Sequence, residues 1–133
     1  MADKLHFSLV SPERELFSGD VEHVVVPGVE GQFGVLSRHA PFMTVIKPGA
    51  LRILDGGAER RIYVGGGFAD VTPAGLTVLA EDAVDLTTVD RAALDQDLKD
   101  AQEDLRDARD EAHRARAAAS IARIEALKAA LAG

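Results

Sequence analysis

The sequence predicts an α+β protein in two parts, a β-sandwich or barrel over residues 1–86 followed by a helical arm over residues 87–133. Three observations carry this. Eleven of the twelve glycines and all five prolines lie at or before Gly75, whereas residues 76–132 contain neither. The earlier part alternates short β-rich runs with turn residues, the pattern of an all-β sandwich or barrel. From Thr87 onward the apolar spacing changes from a period of two to one of about three and a half.

Strand-like runs fall at residues 4–10, 15–19, 21–26, 32–36, 42–47, 50–54, 60–64, 68–71, 76–79 and 83–86. In the first of them Leu5, Phe7 and Leu9 alternate with His6, Ser8 and Val10, which predicts one buried face. The β-branched run Val24-Val25-Val26 is ended by Pro27-Gly28, and Gly31 and Gly34 bracket Gln32-Phe33, where the backbone must bend or approach a neighbour. His39-Ala40-Pro41 makes a stiff corner, since proline fixes its own φ and pushes the preceding residue toward extended geometry. The loops at residues 29–32 and 38–41 are expected to project from the same end of the β domain. A constrained pair of loops on a rigid scaffold is a place to meet a partner. Asp55-Gly56 is a type I′ hairpin signal, and Pro73-Ala74-Gly75 marks a further turn.

In the arm, Thr87 or Thr88 is the expected helix cap, and Thr87 with Asp90 has capping-box spacing. Leu94, Leu98, Ala101, Leu105, Ala108, Ala112, Ala115 and Ala119 keep a 4-3 spacing, after which Ile121, Ile124 and Leu131 restart on a shifted phase. The shift predicts two helices, and charge supports it. Residues 89–111 carry nine acids and four bases, residues 112–133 four bases and one acid. Antiparallel packing would set the acidic helix beside the basic one. No glycine or proline marks a turn, which is expected near residues 106–110 with Asp107 or Asp110 as the second cap; one continuous helix is the alternative. Large apolar side chains are few for such a length of chain, so the arm is expected to be marginal alone and to dock on the β domain or on a partner.

Composition narrows the function. The net charge of −7 argues against nucleic acid as the main partner. The absence of cysteine removes disulfides and thiolate metal sites and fits a reducing compartment. No apolar run approaches the ~18 residues of a membrane helix, and no signal segment opens the chain. His6, His23, His39 and His113 have no metal-ligand spacing, and no GxSxG, HExxH or cysteine supplies a nucleophile or metal constellation. Gly65-Gly66-Gly67 is read as a tight turn or close sheet contact, because a strand-like run rather than a helix follows. His39, fixed by Pro41, and Glu30 and Gln32, on the glycine-braced turn, are the candidate contacts; loop-stiffening hydrogen bonds and a solvated loop are the plainer readings. No catalytic residue and no metal ligand emerge.

The segment EGQFGVLSRHAPFMTVIKPG, residues 30–49, closely resembles the EGxxGVLxxHAPxxxxxxPG segment of the epsilon subunit of F-type ATP synthase, the counterpart of the mitochondrial delta subunit. The opening LHFSLVSPERELFSGDVEHVVVPG, the later GGGFADVTPAGLTVLAEDAV and the alanine-rich tail extend the resemblance over essentially the whole chain. It implies a ten-stranded β-sandwich followed by an antiparallel two-helix hairpin. It also implies a non-catalytic subunit of the central stalk, peripheral on the cytoplasmic face of the inner membrane, that packs on the gamma subunit and the c-ring. Carried over by position, Val29, Glu30, Gly31, Gln32 and Arg38 would face the c-ring, and His39 and Thr44 would lie toward gamma. In many bacterial members the helices can leave the sandwich and hinder ATP hydrolysis through basic residues, here Arg114, Arg116, Arg123 and Lys128, with the alpha and beta subunits as the surface met. Some members bind ATP through an I/L-D-x-x-R-A motif. Asp90 matches the motif's aspartate, but Ala93 stands where the arginine belongs and Arg91 comes two positions early, so no cofactor is implied.

A reading of another class is a free-standing β-sandwich binding module with a coiled-coil oligomerisation tail. The small alanines of the 4-3 stripe favour a compact hairpin over such a tail.

Overall fold

The computed structural model describes residues 4–29, 31–35 and 41–132. Two compact units divide the chain, residues 1–86 and 87–133.

The first unit contains strands β1 (Leu5–Val10), β2 (Glu15–Val21), β3 (His23–Gly28), β4 (Gly31–Val35), β5 (Phe42–Ile46), β6 (Gly49–Asp55), β7 (Ala58–Val64), β8 (Gly67–Thr72), β9 (Gly75–Ala80) and β10 (Ala83–Asp85). They form one hydrogen-bonded path, β10-β7-β6-β3-β5-β8-β9-β1-β2, with β4 paired to β3 off that path. Every pairing is antiparallel except β1 with β9. The sheet curls into a sandwich around one core, in which Phe7, Leu9, Leu51, Leu76 and Val78 are fully enclosed. Arg60 of β7 lies over the Phe17 ring of β2, 5.6 Å from its centroid, and reaches Asp85 of β10 at 3.3 Å. The two ends of the path are thereby joined by side chains rather than by a ladder.

Strand β3 is the corner of the curl. Its first half pairs with β6, and its last residue, Gly28, pairs with Ile46 of β5. Pro27-Gly28 therefore does not end the strand. Proline lacks only a donor, and its carbonyl still accepts from Lys47 N–H at 2.9 Å. A second correction concerns the β6–β7 hairpin. Asp55 pairs with Ala58, so the two-residue turn is Gly56-Gly57, with φ of +61° and +82°. A type I′ turn needs positive φ at both central positions, and the double glycine meets that without strain where Asp55-Gly56 would not. At Gly67, φ is +136° and a Cβ would run into the Leu79 carbonyl, so the triple glycine serves close sheet approach.

The second unit begins within a 3-10 turn, Leu86–Thr88, and contains helices α1 (Arg91–Arg106) and α2 (Glu111–Ala132), packed antiparallel on each other. The α1 cap is neither Thr87 nor Thr88. Asp90 accepts from Ala92 N–H at 2.9 Å and Ala93 N–H at 3.3 Å, and its charge also meets the positive end of the helix dipole. Residues 107–110 separate the helices without glycine or proline. Asp107 N–H closes α1 on the Glu103 carbonyl, and Asp110 opens α2 by accepting from His113 N–H at 2.9 Å. The buried residues are Leu94 and Ala101 on α1, and Ala117, Ile124, Leu127 and Ala130 on α2. Ala112, Ala115 and Ala119 are exposed, because the break at 107–110 resets the helical phase before the stripe reaches them.

Candidate functional site

Three regions carry chemistry: the 29–32 turn, the outer face of the sheet beside it, and the charged arm. At the turn Val29, Gly31 and Gln32 are exposed. Glu30, Arg38 and His39 lie outside the described residues. The 29–32 and 38–41 loops are expected at one end of the sandwich; apart from Pro41 the second of them lies outside the described residues. Strand β4 leaves Gly31 beside Gly28 and Val35 beside Val24. Phe42, next to Pro41, pairs with Val71, whereas Ile46 at the far end of β5 pairs with Gly67 and Gly28. Val29 lies at the same end of the sheet as residues 47–48, 65–66 and 81–82, the last two pairs joined by hydrogen bonds from Glu81 N–H to the Gly66 carbonyl and from Gly65 N–H to the Asp82 carbonyl.

The sheet register also shows what the sequence reading missed. Thr44 is half-buried, opposite the enclosed Ala69, while its neighbours Met43 and Val45 face outward. Val45 pairs with Phe68, Phe68 with Leu79, and Leu79 with Val10. On the other side, Val29 N–H donates to the Val45 carbonyl at 3.1 Å, continuing the Gly28–Ile46 pairing. Val29, Val45, Phe68 and Leu79 thus form an exposed apolar belt across adjacent strands, with Met43 one step along β5; all five are between 46% and 66% exposed. At the usual strand spacing the belt is about 15 Å across. The signal was present in the sequence as apolar residues out of phase with the buried set. Phe68 interrupts the Ala69, Val71 face, and Leu79 the Leu76, Val78, Ala80 face.

On the arm, the basic candidates are partly engaged. Lys128 Nζ pairs with Asp95 across the hairpin at 2.8 Å, and Arg114 pairs with Glu111 on its own helix at 3.1 Å. Arg123 is exposed on α2. Arg116 lines a cleft of about 550 Å³ at the turn end of the hairpin, with Asp104, Asp107, Arg109 and His113. The hydrogen bond from Lys128 and its charge hold the Asp95 carboxyl below its ordinary range. The His113 backbone N–H, and then its ring, do the same to Asp110. Asp90 and Arg91 are both committed to helix ends, Asp90 as the α1 cap and Arg91 as a donor to the Leu131 carbonyl at 3.3 Å. Among the described residues no cluster of three or more His, Asp or Glu side chains could hold a metal, and no helix is long and apolar enough to cross a membrane.

The family described as "ATP synthase, Delta/Epsilon chain, beta-sandwich domain" matches residues 4–86. The ATP synthase epsilon chain of Maricaulis maris is 58% identical over 132 residues, 99% of each chain. The chain belongs to the ATP synthase epsilon family. The Hyphomonas neptunium epsilon chain is 61% identical over 103 residues, covering 77% of this chain and 76% of its own. Among solved structures, a chain in the Euglena gracilis mitochondrial ATP synthase OSCP/F1/c-ring assembly superposes with a TM-score of 0.80 at 26% identity, covering 98% of this chain and 83% of its own. The family match ends at the last residue of the first compact unit, while the likeness to the Maricaulis chain runs on through the arm.

Proposed function

We propose that this chain is a non-catalytic rotor subunit of an F-type ATP synthase central stalk, joining the c-ring to the catalytic head through gamma from the cytoplasmic face of the membrane. The observation that carries the proposal is the exposed apolar belt of Val29, Val45, Phe68 and Leu79 in a chain of this family. A solvent-facing apolar strip beside a polar turn is costly to leave uncovered and fits a permanent neighbour. Gamma is assigned to the belt beyond Val29, that is Val45, Phe68 and Leu79. From β5 the contact passes through Met43 and Val45, with Thr44 behind them and His39 retained from the family resemblance. The c-ring is assigned to the turn of Val29, Glu30, Gly31 and Gln32, and Arg38 is retained with it on the same ground. A tagged chain should retrieve gamma from its own cell extract. Val45→Asp with Phe68→Asp should abolish retrieval while the circular dichroism spectrum stays that of the folded chain; retrieval at the original level would refute the assignment of the belt.

The segregated charge of the arm supports a second, narrower role, a brake on ATP hydrolysis through Arg114, Arg116, Arg123 and Lys128 against the alpha and beta subunits. Removal of residues 89–133 should then raise hydrolysis in the assembled enzyme. Nucleotide sensing is not part of the proposal, because Asp90 and Arg91 already serve the two helix ends. The pairing of α1 with α2 within one chain also leaves no long single helix for a coiled-coil tail.

A further inference from the structure

Among the described residues of the sandwich, the half-buried carboxylates are those of Asp55, Asp70, Asp82 and Asp85. Asp55 meets Lys4 at 2.9 Å, Asp85 meets Arg60 at 3.3 Å, and Asp82 has a partner as well. Asp70 has no hydrogen bond or ion pair from its side chain to any described residue. It stands on β8 two residues beyond Phe68, so both side chains leave the sheet on its outer face, roughly 7 Å apart. Beside the apolar row of Val45, Phe68 and Leu79 there is thus a second row, in which Asp70 is flanked by Met43 of β5 and Thr77 of β9. Met43 is 66% exposed and Phe68 49%, and a partner that covers both also covers the carboxylate adjacent to both. Strands β5, β8 and β9 contain no lysine, arginine or histidine, so the sheet brings no cation to that carboxylate along these strands.

Taking a carboxylate out of water without a countercharge is strongly unfavourable, and neighbouring apolar contacts do not offset it. We infer that Asp70 is the specificity-determining contact of the belt, pairing with a lysine or arginine that gamma presents beside its own apolar surface. The pairing rests on the assignment of gamma to the belt. In the free chain water solvates the half-buried carboxylate; in the complex the cation takes the place of that water. The apolar row supplies burial and accepts any apolar face of similar shape. The carboxylate discriminates, since a face without a cation, or with an acid in its place, leaves a buried charge unmatched. It also fixes alignment, because a partner displaced by one row, roughly 7 Å, parts the two charges.

The test titrates the full-length chain and its variants into the gamma-containing F1 sector freed of its own epsilon subunit, with association and dissociation rates measured separately. Asp70→Asn keeps the side-chain shape and gives up no contact with a described residue, so the sandwich stays folded, which circular dichroism checks. It should weaken binding about 10- to 30-fold, mostly through faster dissociation, as the loss of one partner of a buried charge pair does. Asp70→Lys should weaken binding more than about 100-fold, whereas Asp70→Glu, which keeps the charge, should stay within about threefold of the original. Asp20→Asn, on the same outer face but paired with His6 at 2.9 Å, should leave binding unchanged. Equal or tighter binding by Asp70→Asn overturns the inference, and so does equal weakening by Asp20→Asn. A loss confined to the association rate that disappears at about 0.5 M salt also overturns it, since that is how a charge at the rim of an interface behaves. If Asp70→Asn binds as the original does while Val45→Asp with Phe68→Asp does not bind, the ion pair falls and the belt stands. If that double variant binds normally, both fall.

Discussion

The sandwich and the arm are held together by different physical means. In the sandwich, large side chains from nearly every strand meet in one core, and Phe7, Leu9 and Leu51 have no contact with solvent. In the arm, alanine supplies half of the buried positions, and charged groups hold the hairpin at its open end. Dense apolar packing is insensitive to salt and mild acid, whereas a thin interface with an exposed ion pair responds to both. One chain thus contains a part suited to permanent coupling and a part suited to adjustment.

The largest difference should appear in the cores. Phe7→Ala should cost about 3–5 kcal/mol, because a fully enclosed ring leaves a cavity that the curled sheet cannot refill. Denaturant melting would show a loss concentrated in the β signal. Leu127→Ala, at 2% exposure in the arm, should cost about 2–3 kcal/mol and lower the helical signal while the sandwich transition stays in place. A single shared transition that moves equally for both substitutions would show that the two units fold as one. The smallest effect is that of pH. Asp95 and Asp110 are held below the ordinary carboxylate value of 3.8, so the stabilisation they lend is complete above that value and disappears as pH falls through their lowered values. Asp95 answers to Lys128 across the hairpin and to Lys99 and Arg91 on its own helix. In the sandwich Lys4 is raised above its ordinary 10.5 by Asp55, so its contribution is complete below that value and disappears only as pH rises through the raised one. Circular dichroism between about pH 5 and about pH 2 should therefore show the arm loosening before the sheet.

Much of this was legible in the residues. Leu5, Phe7 and Leu9 announced a buried strand face and are buried, since alternation is a local property of extended chain. The change of charge along the arm marked two helices, because charge order is written in the sequence whatever the fold. The α1 cap was harder. Thr87, Thr88 and Asp90 are all acceptable caps, and the 3-10 turn at Leu86–Thr88 left the position to Asp90. The stripe through Ala112, Ala115 and Ala119 failed because alanine suits either face of a helix, so its spacing alone cannot report which face is covered.

By itself, the sequence determined the order and type of the elements, since glycine, proline and apolar period act over a few residues. It also determined the family, because the 30–49 segment keeps its residues at constant offsets. The tertiary structure alone decided which apolar residues stay outside. Val29, Val45, Phe68 and Leu79 are distant in the chain and become one belt only through the registers of β3 with β5, β5 with β8 and β8 with β9. A register is set by what the opposite face of the sheet buries, and the residues left on the outer face are aligned by that same choice.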